Sequence, residues 1–461
     1  MILVPSMKVI KIGGGCLKDG HAAGKIIELI AERGRGNIFV LSAFYGITNI
    51  LLNGIEKALE NEDEISRVMT RLKTMHNSII KCLIPDISTR KQLSRELLPV
   101  FRKLERCYYG INFTREATPR MQDMVATFGE RISAVILAKT LASMGEDTCV
   151  LMPETAGIVS DGRFGDASAL MEETSRNLKA AASSAMTPAT IVFIPGFYAV
   201  SREGDITTFG RGGSDYSAAV VAAALEADVL EIWKDTPGFM TADPDNIPHC
   251  RLIPELTYEE AAELAYTGAG ILHPRTVEPV RKAGINIAIK NTYSPDDPGS
   301  LITCCADNSG RIIKSVSYTT DIALLKIHAS GVGARSGILS RITAELTSSG
   351  INIKSVVTSQ TCISIMLSKN DIAKACKDVE KIRPVLFREI SCLVDVALVS
   401  IVGEGLQANK GIAAKCFSAV SDAGVNIEMI SFGASNAALY FLVRENKLDT
   451  TINALHNIFF D

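Results

Sequence analysis

Long apolar runs are missing from this chain of 461 residues. A membrane-spanning helix needs roughly 18–20 consecutive apolar residues, and the longest candidate, Ala218 to Leu225, ends at Glu226. The N-terminal residues reach Pro5 and Lys8 before an apolar segment of signal-peptide length can form. We therefore expect a cytoplasmic protein that has no membrane partner.

The chain also lacks an excess of one charge and a pattern of paired cysteines. Its 48 Lys and Arg residues against 51 Asp and Glu residues give a net charge of -3, which offers no electrostatic basis for binding nucleic acid. The 11 cysteines are scattered and include no C-x-x-C pair. We therefore expect no metal cluster and no disulfide framework, but small core residues in a reducing compartment.

The first 300 residues alternate between short apolar runs and segments with helical periodicity. The runs are rich in β-branched residues and are predicted as strands, and the segments between them are predicted as helices. Apolar strands separated by helices indicate an α/β fold with a mostly parallel sheet that is covered by helices on both faces. Ligands of such sheets bind beyond the carboxyl ends of the strands. The predicted strands are KVIKIGGG, NIFVLSA, TIVFIPGF, DVLEIWKD and INIAIKN.

The last third of the chain contains an internal repeat with a constant offset of 74 residues. The offset holds through a strand, a helix start and a second strand, which indicates two copies of one small α+β module. A short strand near Ile313–Tyr318 could pair with either copy. The matched positions are Asp321 and Asp395, Gly337 and Gly411, and Gly350 and Gly424.

Two glycine-rich sequences are candidate ligand loops. Lys11-Ile-Gly-Gly-Gly15 ends the first strand, where glycine amides can approach phosphate oxygens and a lysine can neutralise charge. A structural strand-to-helix turn is an equal alternative there. Gly210-Arg-Gly-Gly-Ser-Asp215 precedes a predicted helix, whose N-terminus attracts anions. Because Arg211 can hold a carboxylate through two parallel hydrogen bonds, this second motif favours a site for a small acid over a plain capped loop.

Three further polar positions carry alternatives that the sequence leaves open. Glu130 follows Gly129 in a helical segment and could bind an ammonium group, although a solvated helix charge explains it as well. Ser42 and Thr48 follow the second strand, where their hydroxyl groups could bond a carboxylate or cap a helix. His273 stands alone before Pro274 and is interpreted as structural.

The motifs, in their order along the chain, resemble those of the aspartokinases, and the two repeats resemble the paired ACT modules of the same enzymes. The resemblance implies an amino-acid-kinase fold over residues 1–305, a first ACT module over 315–390 and a second over 391–461. The boundary near residue 315 is soft, because the first module of this family is often inserted within the second. The motifs are KIGGG, VLSAFYGITN, FGER, GRGGSD, DTPG, GILHPR and KNT.

The resemblance implies transfer of a phosphoryl group from ATP, with Mg²⁺, to the β-carboxylate of L-aspartate, the first step towards lysine, threonine and methionine. Lys11 would neutralise charge on the transferred phosphoryl group, and Asp215 would organise this lysine. Positioning and charge neutralisation suffice for such a reaction. The substrate-binding residues would be Ser42, Thr48, Glu130, Arg211 and Ser214, and the nucleotide-binding residues Gly13, Gly14, Lys234, Asp235, Gly238 and Met240.

Several positions depart from the family pattern on the nucleotide side. Gly15 and Cys16 replace a Thr-Ser pair, and Met240 replaces a tyrosine. Asp245 and Gly270 replace an arginine and a lysine, so two cations that would face nucleotide phosphates are absent. Lys234 stands where a threonine is usual, and its flexible ammonium could compensate for the loss. The acceptor pocket therefore looks intact, and the donor pocket looks rebuilt.

The resemblance also implies a homodimer or homotetramer that an amino-acid effector, lysine or threonine, regulates at the ACT modules. Candidate effector contacts are the loop Ser330–Ser336 and the segment Gly350–Lys354. Two alternatives to an active aspartokinase stay open. One is a related kinase for another acid, such as glutamate, an N-acylated amino acid or carbamate. The other is a weakened kinase domain that serves as an amino-acid sensor or regulatory subunit.

Overall fold

A computed structural model of the chain describes residues 7–268, 270–306, 312–329, 332, 336–383 and 387–460. These residues divide into two compact units. The first comprises the chain up to Phe239 together with Pro254–Ala262 and Ile271–Ala306. The second comprises Met240–Ile253, Glu263–Gly270 and the residues from Asp307 onward. None of the helices described in these ranges combines the length and the apolar character that crossing a membrane requires.

The first unit is built on a sheet of eight strands in the order β3-β5-β2-β1-β8-β10-β11-β9. All neighbouring pairs are parallel except β10 and β11, which run antiparallel. The five strands predicted from the sequence form its centre, so the predicted mostly parallel α/β sheet is confirmed. The strands are β1 (Lys8–Ile12), β2 (Ile38–Leu41), β3 (Thr148–Val150), β5 (Ile191–Pro195), β8 (Val229–Lys234), β9 (Glu255–Thr257), β10 (Asn286–Asn291) and β11 (Ser300–Thr303).

The described part of this unit also contains a three-stranded sheet and ten helices, and an eleventh helix, α10, lies partly in it. The small sheet pairs β4 (Val159–Ser160) with β6 (Tyr198–Ser201) and β6 with β7 (Ile206–Thr208). Helix α10 divides its residues between the two units. The helices are α1 (Gly20–Arg33), α2 (Ile47–Glu60), α3 (Glu62–Leu83), α4 (Ile87–Thr114), α5 (Pro119–Ala126), α6 (Phe128–Ser143), α7 (Pro153–Ala156), α8 (Met171–Ala185), α9 (Gly213–Leu225), α10 (Tyr258–Tyr266) and α11 (Pro274–Ala283).

Local sequence explains where these elements begin and what they bury. Strand β2 is apolar at every position and is buried on both faces, as a central parallel strand must be. Helix α1 begins after Asp19, whose carboxylate accepts hydrogen bonds from the amides of His21 and Ala22. The long polar segment 65–104 forms parts of two helices, α3 and α4, and Asp86 caps the second of them through the Thr89 amide.

The described part of the second unit contains two four-stranded antiparallel sheets, which match the two sequence repeats. Their orders are β12-β17-β19-β18 and β14-β15-β13-β16. Helix α12 (Ile338–Ser348) and helix α14 (Ile412–Asp422) occupy equivalent places after left-handed glycines. The other elements are β12 (Ser315–Thr319), β13 (Ala323–His328), β14 (Ser355–Thr358), β15 (Cys362–Leu367), α13 (Ile372–Glu380), β16 (Glu389–Leu393), β17 (Val396–Val402), β18 (Ile427–Phe432), β19 (Ala438–Arg444) and α15 (Leu448–Phe460).

Strand β12 belongs to the sheet of the second repeat, although it precedes the first repeat in sequence. It runs antiparallel to β17, with Ser315 opposite Val402 and Thr319 opposite Leu398. The sequence left the partner of this strand open. Its pairing places the first repeat within the chain of the second.

The cysteines depart from the sequence expectation at several positions. Cys376 on α13 and Cys392 on β16 are joined as a disulfide, which the sequence did not predict. Cys16, Cys107 and Cys416 are buried as expected of small core residues. The exposed free cysteines, which the sequence placed in the core, are Cys82, Cys304 and Cys305, and Cys392 of the disulfide is exposed as well.

The two modules share a small buried cluster, and its loss should destabilise the second unit. Leu324 of β13 and Leu398 and Leu442 of β17 and β19 are almost fully buried in this cluster. We expect Leu398→Ala to lower the free energy of unfolding by about 2–5 kcal/mol, because the substitution leaves a cavity. Denaturant unfolding followed by circular dichroism measures the change. Leu339→Ala on the exposed face of α12 is the control, and equal losses in the two variants would contradict the shared core.

Candidate active site

A cavity of about 350 Å³ opens beyond the carboxyl ends of β1 and β2 in the first unit. Both glycine-rich motifs and the start of helix α6 contribute to its wall. Eight predicted residues therefore meet in one place, although the chain separates the first and last of them by about two hundred positions. These lining residues are Lys11, Gly14, Ser42, Thr48, Glu130, Arg211, Ser214 and Asp215.

The centre of the site is an ion pair between Lys11 and Asp215. The Lys11 ammonium lies 2.5 Å from Oδ1 of Asp215, and both side chains are more than nine-tenths buried. Lys11 sits on the central strand β1, and Asp215 lies in the first turn of α9. Burial alone would raise the pKa of Asp215, but the ammonium groups of Lys11 and Lys234 outweigh it and hold this pKa below its usual value. The carboxylate is therefore ionised at neutral pH.

Lys234 brings a second ammonium group to the same carboxylate. Its Nζ lies 3.7 Å from Oδ2 of Asp215. Burial and the neighbouring Lys11 charge lower the pKa of Lys234, and Asp215 opposes this effect. Asp215 thus contacts two lysines at the end of the sheet. One carboxylate and two ammonium groups together carry a net positive charge, which favours an anionic ligand.

Glu130 is a second buried acid of the site. It lies in the first turn of α6 and is 3% exposed, and within the described residues its Oε2 has no hydrogen-bond partner. Burial raises the pKa of Glu130 to about 8, although the amides of Glu130 and Ala43 and the Lys11 charge oppose the rise. Gly129 lets the start of α6 lie close to Ala43, since a Cβ at position 129 would lie 2.6 Å from the Ala43 Cβ.

The two hydroxyl residues after β2 lie on opposite sides of a tight turn. The Ser42 amide donates to the Ile12 carbonyl at 3.2 Å, which holds this residue beside the first glycine motif. Thr48 lies in the first turn of α2, which begins after Gly46 with a left-handed φ of 78°. Both side chains line the cavity, so both are available to a ligand.

The loop Gly210–Asp215 is held by residues that follow it in sequence by about sixty positions. Arg275 at the start of α11 donates to the Phe209 carbonyl at 3.0 Å and to the Ala167 carbonyl at 2.6 Å. Gly212 adopts a φ of 71°, and a Cβ there would lie 2.3 Å from the Cβ of His273. Only glycine fits this contact. The packing of Gly212 against His273 therefore fixes the backbone next to Arg211.

The predicted nucleotide residues divide between the two units. Gly13 and Gly14 lie at the turn after β1, where the Gly13 amide donates to the Trp233 carbonyl at 3.3 Å. Asp235 and Gly238 follow β8, and Gly238 has a φ of 142°. The other unit contains Met240, Asp245 and Gly270; Ala269 before the last of these lies outside the described residues.

Sequence reasoning missed three residues at this site. Phe197 lines the cavity and adopts a left-handed φ of 79°, a conformation that non-glycine residues rarely take. His273, interpreted as structural, packs against Gly212, and its buried Nδ1 has no hydrogen-bond partner in the described residues. Lys18 forms a 2.8 Å ion pair with Asp235. For Lys18, its position directly after the glycine turn that follows β1 was an available signal.

Family sequence models match most of the chain. The model of the amino acid kinase family matches residues 6–291, and a model of the ACT domain matches residues 399–459. The first match covers every strand of the eight-stranded sheet except β11, and every residue that lines the cavity.

Individual relatives match over comparable lengths. An aspartokinase of Mycolicibacterium smegmatis is 32% identical over 74% of this chain and 82% of its own length. A bifunctional aspartokinase/homoserine dehydrogenase of Haemophilus influenzae is 29% identical over 99% of this chain. This chain spans 57% of the length of that bifunctional relative.

Solved structures support the fold. E. coli aspartokinase III in complex with aspartate and ADP has a TM-score of 0.84 at 24% identity, covering 99% of this chain and 100% of the other. The same protein in complex with lysine and aspartate has a TM-score of 0.79 at 24% identity, with the same coverage. At this identity the likeness concerns the fold of the chain.

The raised pKa of Glu130 makes stability depend on pH. The unfolded carboxyl ionises near pH 4.5 and the folded one near pH 8, so the unfolded state binds fewer protons between these values. We expect the free energy of unfolding to fall by a few kcal/mol from pH 5 to pH 8 through this group. Denaturant unfolding of the wild type and of Glu130→Gln across this range measures the difference. A pH dependence that is the same in both proteins would contradict the assignment.

Proposed function

The chain belongs to the aspartokinases of the amino acid kinase family, and from that membership we propose that it transfers a phosphoryl group from ATP to the β-carboxylate of L-aspartate. The product would be 4-phospho-L-aspartate, which leads towards lysine, threonine and methionine. The observation that carries the proposal is the Lys11–Asp215 pair, which stands in one cavity with Arg211 and Glu130. The roles of these residues are part of the proposal.

On the acceptor side, the cavity offers complementary groups for each end of an acidic amino acid. Arg211 would hold a carboxylate, because a guanidinium binds this group through two parallel hydrogen bonds. Glu130 would bind the ammonium group, and its buried, unpartnered oxygen supports that role. Ser42, Thr48 and Ser214 would orient the substrate from the cavity wall.

On the donor side, Lys11 would neutralise charge on the transferring phosphoryl group, and Asp215 would keep this lysine in place. The amides of Gly13 and Gly14 would face phosphate oxygens. Mg²⁺ would accompany ATP and neutralise phosphate charge. No group of three or more His, Cys, Asp or Glu side chains in the described ranges forms a metal cage, which suits an ion that is bound mainly by phosphates and water.

The second unit would regulate this activity. The ACT match and the two repeats support regulation by an amino-acid effector. We propose lysine or threonine as the effector and a cytoplasmic homodimer or homotetramer as the assembly. Within Gly350–Lys354, Lys354 contacts the Asp321 carboxylate at 3.2 Å. Most of the loop Ser330–Ser336 lies outside the described residues. We keep the division into a catalytic domain (1–305) and ACT modules (315–390 and 391–461) as part of the proposal, with β12 paired to the second repeat.

Trapping of the acyl phosphate with hydroxylamine tests the proposed reaction. We expect purified protein with Mg-ATP and L-aspartate to yield aspartyl hydroxamate. Asp215→Asn and Lys11→Ala should each lower the rate by at least about a hundredfold, because each removes half of the buried pair. Near-normal turnover by Lys11→Ala would contradict the charge-neutralising role.

A panel of acids distinguishes the alternatives in the same assay. Product from glutamate or an N-acylated amino acid, without product from aspartate, would show that the acceptor is that acid and not aspartate. No product from any acid, in a folded protein that binds lysine or threonine, would indicate a sensor or regulatory subunit.

Lys234 should matter for the nucleotide more than for aspartate. We expect Lys234→Ala to raise the KM for ATP by about tenfold, the effect of one lost charge-assisted contact, and to change the KM for aspartate much less. The same exchange in a relative that carries the usual lysine after Gly-Ala should have a smaller effect. An unchanged KM for ATP would remove Lys234 from the donor site.

A further inference from the structure

Lys18 stands at the edge of the donor side, where the sequence motifs assign no residue. Its ammonium lies 2.8 Å from Oδ2 of Asp235, and its side chain is 46% exposed. Lys18 is the last residue before Asp19, the cap of helix α1. The lysine is therefore carried by the same turn that holds Gly13 and Gly14.

The glycine at position 15 lets the Asp235 carboxylate of this ion pair lie close against the turn. A Cβ at Gly15 would lie 3.2 Å and 3.3 Å from the two carboxylate oxygens of Asp235. A longer side chain at position 15 would therefore occupy the front of this carboxylate. With glycine there, Lys18 is the cation that reaches Asp235 from the turn.

The charges around the turn favour a role for Lys18 beyond its ion pair with Asp235. The hydrogen bond from Lys18 is the largest cause of the lowered pKa of Asp235, and Lys234 adds to it, so Asp235 is an anion at neutral pH. An uncompensated carboxylate beside the glycine turn would repel a polyphosphate. An exposed ion pair of this kind contributes little to folding, so its contribution to the fold does not explain why Lys18 is placed there.

We propose, on the basis of the proposed function, that Lys18 is a nucleotide-binding residue whose ammonium contacts the polyphosphate of the donor while it stays beside Asp235. The three N–H groups of the ammonium and the long exposed stem of a lysine permit both contacts without movement of the backbone. Together with Lys234, Lys18 replaces the two cations that positions 245 and 270 lack. The positive charge that binds the phosphates would thus come from Lys18 after the glycine turn and from Lys234 at the end of β8.

Calorimetric titration with MgADP and with AMP tests this role without turnover. We expect Lys18→Met to raise the Kd for MgADP about tenfold, as one charge-assisted contact is lost, and to change the Kd for AMP less than twofold. Lys18→Arg should restore MgADP binding to within about threefold of the wild type. Lys25→Met is the matched control, because Lys25 is a lysine of the neighbouring helix α1 whose ammonium lies over the Tyr293 ring; it should leave both constants unchanged.

The outcomes separate this inference from the proposed reaction. Normal MgADP binding by Lys18→Met, in a protein that makes aspartyl hydroxamate, would overturn the inference alone. Equal weakening of AMP and MgADP would also overturn it, since that pattern indicates a general disturbance of the site. Weaker MgADP binding by the variant, beside a wild type that binds MgADP but makes no hydroxamate, would support the inference and overturn the proposed reaction. A wild type that binds no nucleotide would overturn both.

Discussion

The buried ion pair between Lys11 and Asp215 is the constraint on which the rest of the site depends. Two opposite charges that are more than nine-tenths buried are costly to desolvate, and either one alone would be far more costly. The surroundings must therefore hold both groups at contact distance. Strand β1 lies at the centre of the sheet and α9 begins directly above its end, so the most rigid elements of the unit fix the two partners.

The polypeptide reaches this pair through close backbone contacts that only small residues allow. A Cβ at Gly14 would lie 3.1 Å from the Ala43 carbonyl oxygen, and the corresponding positions of Gly129 and Gly212 are closer still to their neighbours. Three segments that are distant in sequence thus converge within a few ångströms of the charged groups. The glycines are needed for this convergence of the chain as well as for space around a ligand.

Much of the fold and of the site could be predicted from the sequence, because the strand patterns and the glycine motifs are local sequence features. Strands such as β2 are apolar throughout, and the parallel sheet follows from that pattern. The residues of the glycine motifs meet because the carboxyl ends of parallel strands share one edge. The roles of Arg275 and His273 could not be predicted in this way, since both act on the loop 210–215 from a helix sixty positions later. The pairing of β12 with β17 escaped prediction for a related reason: five residues of mixed polarity fit the edge of either sheet.

The two sides of the site differ in how their charge is supplied. On the acceptor side, Glu130 is fixed by burial at the start of α6. Arg211 is exposed, and its backbone is held by the packing of Gly212 against His273. On the donor side, charge comes from lysines that share carboxylate partners, Lys234 with Asp215 and Lys18 with Asp235. A lysine ammonium has three N–H donors and can bind a phosphate beside its carboxylate partner, whereas the buried Oε2 of Glu130, which has no hydrogen-bond partner in the described residues, suits an ammonium group. The acceptor side is therefore suited to recognise one small ligand, and the donor side to exchange a highly charged one.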